Sequence, residues 1–156
     1  AVRRPHPIIF REYLGNPQAT ADKMVGAWML TGDLGRQDED GFFWYVGRAD
    51  DVITSSGYRI GPSEVEDALL AHPSVALAAV IGLPDPDRTE IVAAFIRLAE
   101  GAAPSDALKL RLFVRGRLAR HEAPRRIEFV DDLPTTPTGK LMRKALREQV
   151  LAAERA

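Results

Sequence analysis

Apolar positions in this chain follow two periods, and the way they are grouped divides it near residue 50. Val75 to Leu83 is a nearly continuous apolar run, as is Ile91 to Leu98 within the stretch Glu90–Leu98. Such runs, bounded by turn residues, predict buried strands. Pro84-Asp85-Pro86-Asp87 lies between them as a turn, so the two are expected to pair as a long hairpin. Val65, Ala68 and Leu69 recur at helical spacing behind Gly61-Pro62-Ser63-Glu64, which predicts a helix with proline in its first turn. Leu110, Phe113, Val114 and Leu118 mark a second helix opened by Pro104-Ser105-Asp106. Leu141, Met142, Ala145 and Leu146 mark a last one over about 139–151. Arg126 to Val130 is a third strand, and Val52-Ile53-Thr54 with Tyr58-Arg59-Ile60 flank a small hairpin at Ser55-Ser56-Gly57. This order predicts an α+β unit: a three-stranded sheet covered by helices, with a short β-hairpin.

Residues 1–48 read differently: a loop, one short helix and a β-ribbon. Asn16-Pro17 predicts a capped helix over about 17–24. Ala27-Trp28-Met29-Leu30 and Phe42-Phe43-Trp44-Tyr45-Val46 predict strands, the second after the turn Asp38-Glu39-Asp40-Gly41. Trp28, Trp44 and Tyr45 are expected in a core. So few elements do not bury these aromatics by themselves, so the segment reads as the end of a larger domain that begins upstream. The start at Ala1, without an initiating Met, fits that reading, and it lacks the apolar segment of a signal peptide.

Composition narrows the function classes. The chain has 156 residues, 46% apolar and 28% charged, as in globular domains. A net charge of -1 argues against a general nucleic-acid binder. There are no cysteines, so disulfides and thiol catalysis are excluded; a cytoplasmic location is the expectation. No apolar run approaches the roughly 20 residues of a membrane span. His6, His72 and His121 lack metal-ligand spacing, so no metal site is expected.

Several short constellations carry candidate chemistry. Pro134-Thr135-Thr136-Pro137-Thr138-Gly139-Lys140 places a lysine on a restrained turn just before the basic last helix. Lys140 reads either as a surface lysine or as a contact for a phosphate or carboxylate oxyanion. Asp33, in Thr31-Gly32-Asp33, suits a ribose diol or a backbone cap. Arg48 offers a planar fork to phosphate or ribose oxygens, or to a neighbouring aspartate. Asp50 and Asp51 are adjacent and do not face each other as a catalytic pair, which leaves a junction that changes backbone angles. Ser56, Gly57, Tyr58 and Arg59, with glycine on each side of a short strand, suit close ligand passage or a tight hairpin. Arg88 and Arg125-Arg126, each near a proline turn, suit a phosphorylated ligand or plain surface charge. The last helix is basic; from Arg143 onward this is read as its wet face.

In their order and spacing these motifs resemble the C-terminal part of the AMP-forming acyl-CoA synthetases, in the adenylate-forming superfamily. The segments are Thr31-Gly32-Asp33-Leu34-Gly35, Asp38–Val46, Gly47-Arg48-Ala49-Asp50-Asp51-Val52-Ile53, Gly57–Glu66 and Pro134–Lys140. The resemblance covers about Tyr13 to Glu148. Ser55–Pro62 with Pro84-Asp85-Pro86 is most similar to the medium-chain acyl-CoA and benzoate-CoA ligase branch.

The resemblance implies residues 1–49 as the tail of a large N-terminal adenylation domain and 50–156 as a mobile C-terminal domain, with the hinge at Asp50. It implies Lys140 as the adenylation lysine, and Asp33 and Arg48 as contacts to the ATP nucleotide. Ser56, Gly57 and Tyr58 would line the coenzyme A passage, with Arg59 near the phosphate or coenzyme A. Arg88, Ala123, Pro124 and Arg125 would meet its nucleotide end; Ala123 replaces the aromatic often found before this Pro-Arg. The reaction implied is an acid–thiol ligation. ATP converts a carboxylic acid to an acyl-adenylate, coenzyme A takes the acyl group, and AMP and pyrophosphate leave. Mg2+ is expected with ATP, held by residues outside this chain. The family's phosphate loop and acyl pocket are not in these 156 residues, so alone they are expected to be inactive. The alternatives are a carrier-protein thiol as acceptor, or a non-catalytic interaction module.

Overall fold

A computed structural model describes residues 1–103, 110 and 113–155. By internal contacts the chain divides into two compact units, residues 1–50 and 51–156.

The first unit holds short elements: β1 (Val2–Arg3), α1 (Pro17–Asp22), β2 (Met24–Val25), β3 (Trp28–Met29), β4 (Asp33–Gln37) and β5 (Phe43–Arg48). Asn16 caps α1 by accepting from Ala19 N at 3.0 Å, with Pro17 in its first turn, as its sequence predicts. β1, β3 and β2 form a small antiparallel sheet. β4 pairs antiparallel with β5 in a separate ribbon, which sets Asp33 opposite Arg48. β4 was not expected, because Asp33-Leu34-Gly35-Arg36-Gln37 has neither apolar alternation nor β-branched residues; pairing with β5 makes it a strand.

The expectation that Trp28, Trp44 and Tyr45 lie in a core is overturned. They are 47%, 56% and 68% exposed, and Phe42 and Phe43 are exposed as well. Neither the two-stranded ribbon that holds Trp44 and Tyr45 nor the sheet of two-residue strands that holds Trp28 has a second layer to cover these side chains within a unit this small. Trp44 is fixed instead by its indole, which donates to Asp38 Oδ2 at 2.6 Å. That bond holds the Asp38 carboxyl below its ordinary pKa.

The second unit contains β6 (Ile53–Ser55), β7 (Tyr58–Ile60), α2 (Pro62–Leu70), β8 (Val75–Asp85), β9 (Thr89–Leu98), β10 (Arg126–Phe129) and α3 (Arg143–Ala153). The opening of the expected second helix, Pro104-Ser105-Asp106, lies outside the described residues, whereas Leu110 and 113–115 are helical. The expected strands β8, β9 and β10 make the sheet, β8 antiparallel and β10 parallel to β9. The β6–β7 hairpin joins it through Ser55 opposite Thr89. β10 and β6 therefore share one edge of β9 at different ends, and β8 takes the other.

Both faces of this sheet are covered, which explains the continuous apolar runs. Side chains alternate across a strand, so Val92, Ala94 and Ile96 meet α2 through Val65, Ala68 and Leu69 on one face. Ala93 and Phe95 meet Leu133 and Leu146 of α3 on the other. Helix α3 begins at Arg143, not 139, because Leu141 bridges back to Thr135 and Met142 N donates to Pro134 O at 2.9 Å. Met142 is consequently exposed, and Leu146, Val150 and Leu151 carry the buried side of α3.

Candidate functional site

In the first unit Arg48 is the centre of a small polar cluster. Its Nη1 donates to Thr31 O and to Asp33 Oδ1, each at 3.3 Å. Its Nε and Nη2 donate to the two carboxylate oxygens of Asp50 at 3.1 and 3.3 Å. The guanidinium is held above its ordinary pKa, first by the Asp50 bond, and Asp50 is held below its own, first by the Arg48 bond. Gly32 makes this geometry possible. Its φ is +84°, and a Cβ there would lie 2.9 Å from Arg48 Nη2. Asp33, Arg48 and Asp50, chosen separately from sequence, thus form one hydrogen-bonded group. Asp33 keeps its second oxygen and an exposed side chain.

In the second unit the lysine loop is a tight turn built from its own residues. Thr136 N donates to Lys140 O at 2.8 Å, Gly139 N to Thr136 O at 2.8 Å, and Lys140 N to Thr136 Oγ1 at 3.1 Å. The hydroxyls of Thr136 and Thr138 are 2.9 Å apart, and Gly139 takes φ +81° to close the turn. Lys140 stands exposed on it, with no side-chain partner among the described residues. It precedes α3 by three residues, so the chain position expected at a helix N-terminus is instead on the returning arm of the turn.

A second polar feature of this unit is an open cleft of about 340 Å³, lined by Ser55, Ser56, Tyr58, Arg88, Arg120, His121 and Arg125. Ser56 and Gly57 both have positive φ, 51° and 84°, as the two-residue turn of a tight hairpin requires. Arg88 holds this turn: its carbonyl accepts from Ser56 N, and its Nη1 donates to Ser56 Oγ, both at 2.9 Å. The rings of Tyr58 and His121 are stacked 3.9 Å apart at 16°. Of the expected residues, the cleft brings together Ser56, Tyr58, Arg88 and Arg125. Gly57 forms the turn beside it, Arg59 is exposed outside the lining, and Arg126 is not a free phosphate contact but pairs with Glu128 and Glu154. Ala123 and Pro124 are buried and support the neighbouring Arg125. Arg120 and His121 were missed; the sequence signal was a basic dipeptide shortly before Pro124-Arg125.

The wet-face reading of the last helix is overturned at two arginines. Arg143 donates from Nε and Nη2 to the two oxygens of Glu66, at 3.0 and 2.6 Å, and from Nη1 to Asp51 Oδ2 at 2.9 Å. Glu66 is buried and also accepts from Val80 N at 2.9 Å. Burial is the largest single influence and disfavours the charged Arg143, but the bonds and charges of Glu66 and Asp51 together outweigh it and raise its pKa. Arg147 donates to Glu90 Oε1 at 2.8 Å, and Glu90 Oε2 accepts from Thr54 N at 2.9 Å. Gly82 leaves room for that carboxylate, since a Cβ there would lie 2.7 Å from it. Among the described residues, no three His, Asp or Glu side chains gather where they would hold a metal ion, and no helix is long and apolar enough to cross a membrane.

Residues 64–140 match the family model of the AMP-binding enzyme C-terminal domain. The acetyl-coenzyme A synthetase of Bacillus subtilis (strain 168) is 50% identical over 150 residues, 94% of this chain and 26% of its own length. The mitochondrial acyl-coenzyme A synthetase ACSM4 of Homo sapiens is 50% identical over 144 residues, 90% of this chain and 25% of its own. The crystal structure of ATP-bound MatB from Rhodopseudomonas palustris aligns at a TM-score of 0.80 and 34% identity, over 90% of this chain and 28% of that one. The chain spans about a quarter of the length of these curated relatives. It belongs to the adenylate-forming enzymes, whose C-terminal domain it carries, and is similar to the C-terminal part of acyl-CoA synthetases.

Proposed function

We propose that this chain serves an acid–thiol ligase that activates a carboxylic acid with ATP to an acyl-adenylate and passes the acyl group to coenzyme A. AMP and pyrophosphate are released. The observation that carries this reading is the pairing, on one compact unit, of an exposed lysine on a self-bonded turn with a separate cationic cleft. Two half-reactions need two such faces.

In the first half-reaction Lys140 bridges the attacking carboxylate oxygen and the α-phosphate, where its charge offsets the negative charge gathering between them. Asp33 receives the ribose hydroxyls, and Arg48 fixes Asp33 while meeting the nucleotide. In the second, the unit after Asp50 turns, Lys140 leaves, and the Ser56-Gly57-Tyr58 turn comes to the site. Arg88, Arg120 and Arg125 hold the phosphates of coenzyme A, and the Tyr58–His121 stack offers a ring surface to its base. Ser56 and Gly57 leave a narrow passage for the thiol arm. Mg2+ is expected with ATP, held by residues outside this chain.

Lys140→Ala in the full-length enzyme tests the reading. Pyrophosphate release falls on the order of a hundredfold or more. Thioester formation from supplied acyl-adenylate stays within about twofold, because Lys140 has left by then. Equal loss of both half-reactions refutes the assigned role. A carrier-protein thiol as acceptor predicts instead that free coenzyme A supports no turnover.

A further inference from the structure

The two arginines of α3 join three pieces of chain that are far apart in sequence. Arg143 follows Lys140 by three residues and reaches Asp51, the residue after Asp50. Its other two bonds go to Glu66, which is tied through Val80 N to the middle of β8. One turn later Arg147 reaches Glu90, whose other oxygen holds the backbone of Thr54 at the start of the Ser55–Tyr58 turn. The side chains of Arg143, Asp51 and Glu66 are 19%, 21% and 8% exposed, so water competes little for these bonds. A guanidinium that spans two carboxylates fixes both distance and angle, which an ammonium does not. The Lys140 turn is closed on itself by Met142 N to Pro134 O, so whatever fixes Arg143 also fixes the base of that turn.

We propose that Arg143 and Asp51 are positioning residues that make the lysine turn and the segment after Asp50 one rigid lever. This rests on the function proposed above. Rotation at Asp50 is then delivered to Lys140 through the Arg143–Asp51 bond, at a point 89 residues upstream along the chain. The Ser56–Tyr58 turn needs no such link, because it follows Asp51 by only a few residues. Loss of the link therefore harms the half-reaction that uses Lys140 and spares the one that uses the turn.

The test uses Asp51→Asn and Arg143→Lys in the full-length enzyme, with Lys140→Ala beside them. Asp51→Asn keeps the Arg143–Glu66 bonds, so α3 stays docked. Its adenylation kcat falls about tenfold, since small misplacement of a catalytic group costs one to two decades. KM for ATP and acid, and thioester formation from supplied acyl-adenylate, stay within about twofold, because neither binding nor the second step uses the link. Arg143→Lys, whose ammonium cannot span both carboxylates, shows the same selective loss, and joining it to Asp51→Asn adds little to that loss, because both break the shared Arg143–Asp51 link. In a Lys140→Ala background Asp51→Asn changes adenylation no further. Equal loss of the two half-reactions by Asp51→Asn, or no loss in either, overturns the lever. Additive loss on top of Lys140→Ala also overturns it. Lys140→Ala without selective loss overturns the functional reading and the lever together, which separates that failure from failure of the lever alone.

Discussion

Arg143 and Arg120 carry the same guanidinium on the same compact unit, yet their surroundings are opposite. Arg143 is enclosed by two carboxylates and is mostly buried. Arg120 lines an open cleft with Arg88. The positive charge of Arg143 is already neutralised, whereas those of Arg88 and Arg120 meet no carboxylate among the described residues. Basic residues in this chain therefore divide by what neutralises them, and their number in a segment says little about binding.

The largest break in that comparison comes from stranding the enclosed arginine. Glu66→Leu leaves Arg143 short of its main partner and Val80 N without an acceptor. A loss of about 3 kcal/mol or more in urea unfolding is expected. Replacing both Glu66 and Arg143 by apolar residues recovers part of it, since no charge remains buried. The cleft arginine behaves oppositely. Arg120→Ala leaves stability within about 0.5 kcal/mol, as for an ordinary surface change. It raises KM for coenzyme A about tenfold, which is 1.4 kcal/mol of lost phosphate contact. Higher salt shrinks that difference if charge is the cause. His121→Ala is smaller: removing one ring of an aromatic stack costs about 0.5–1.5 kcal/mol, a few-fold in the same KM.

The smallest effect lies in the other unit. The Asp50 pKa is depressed by Arg48, so the bond is fully present above the ordinary carboxylate value near 3.9 and is lost as pH falls through the lower folded value. An NMR titration of Asp50 is expected to show a midpoint below that value. Arg48→Lys, which cannot keep both bonds, moves it back up.

How much of this was legible in the sequence depended on how local the cause was. Helix α2 and strands β8, β9 and β10 were readable, because Val65, Ala68, Leu69 and the runs through Ile81 and Phe95 carry the period of their own element. Asp33, Arg48 and Lys140 were each readable as candidates from residue type and turn chemistry. What was not readable was set by distant partners. Arg143 looks solvated in sequence because Glu66 and Asp51 lie 77 and 92 residues away. β4 exists because β5 pairs with it. Helix α3 starts late because Leu141 answers to Thr135. Arg120 and His121 are recognisable as cleft-lining residues only once the fold brings them beside the β6–β7 hairpin.

The sharing of β9 has a consequence for the order of assembly. Its pairing with β8 is local in sequence, whereas β10 runs parallel to it and must return by a crossover. The hairpin is expected to close first during folding. A slip of one residue at that moment would turn every side chain of β9 to the opposite face, Glu90 among them, and would misalign Thr89 with Ser55. The register of one early hairpin thus determines, before the rest of the unit has formed, whether the lysine turn and the cationic cleft are later aligned.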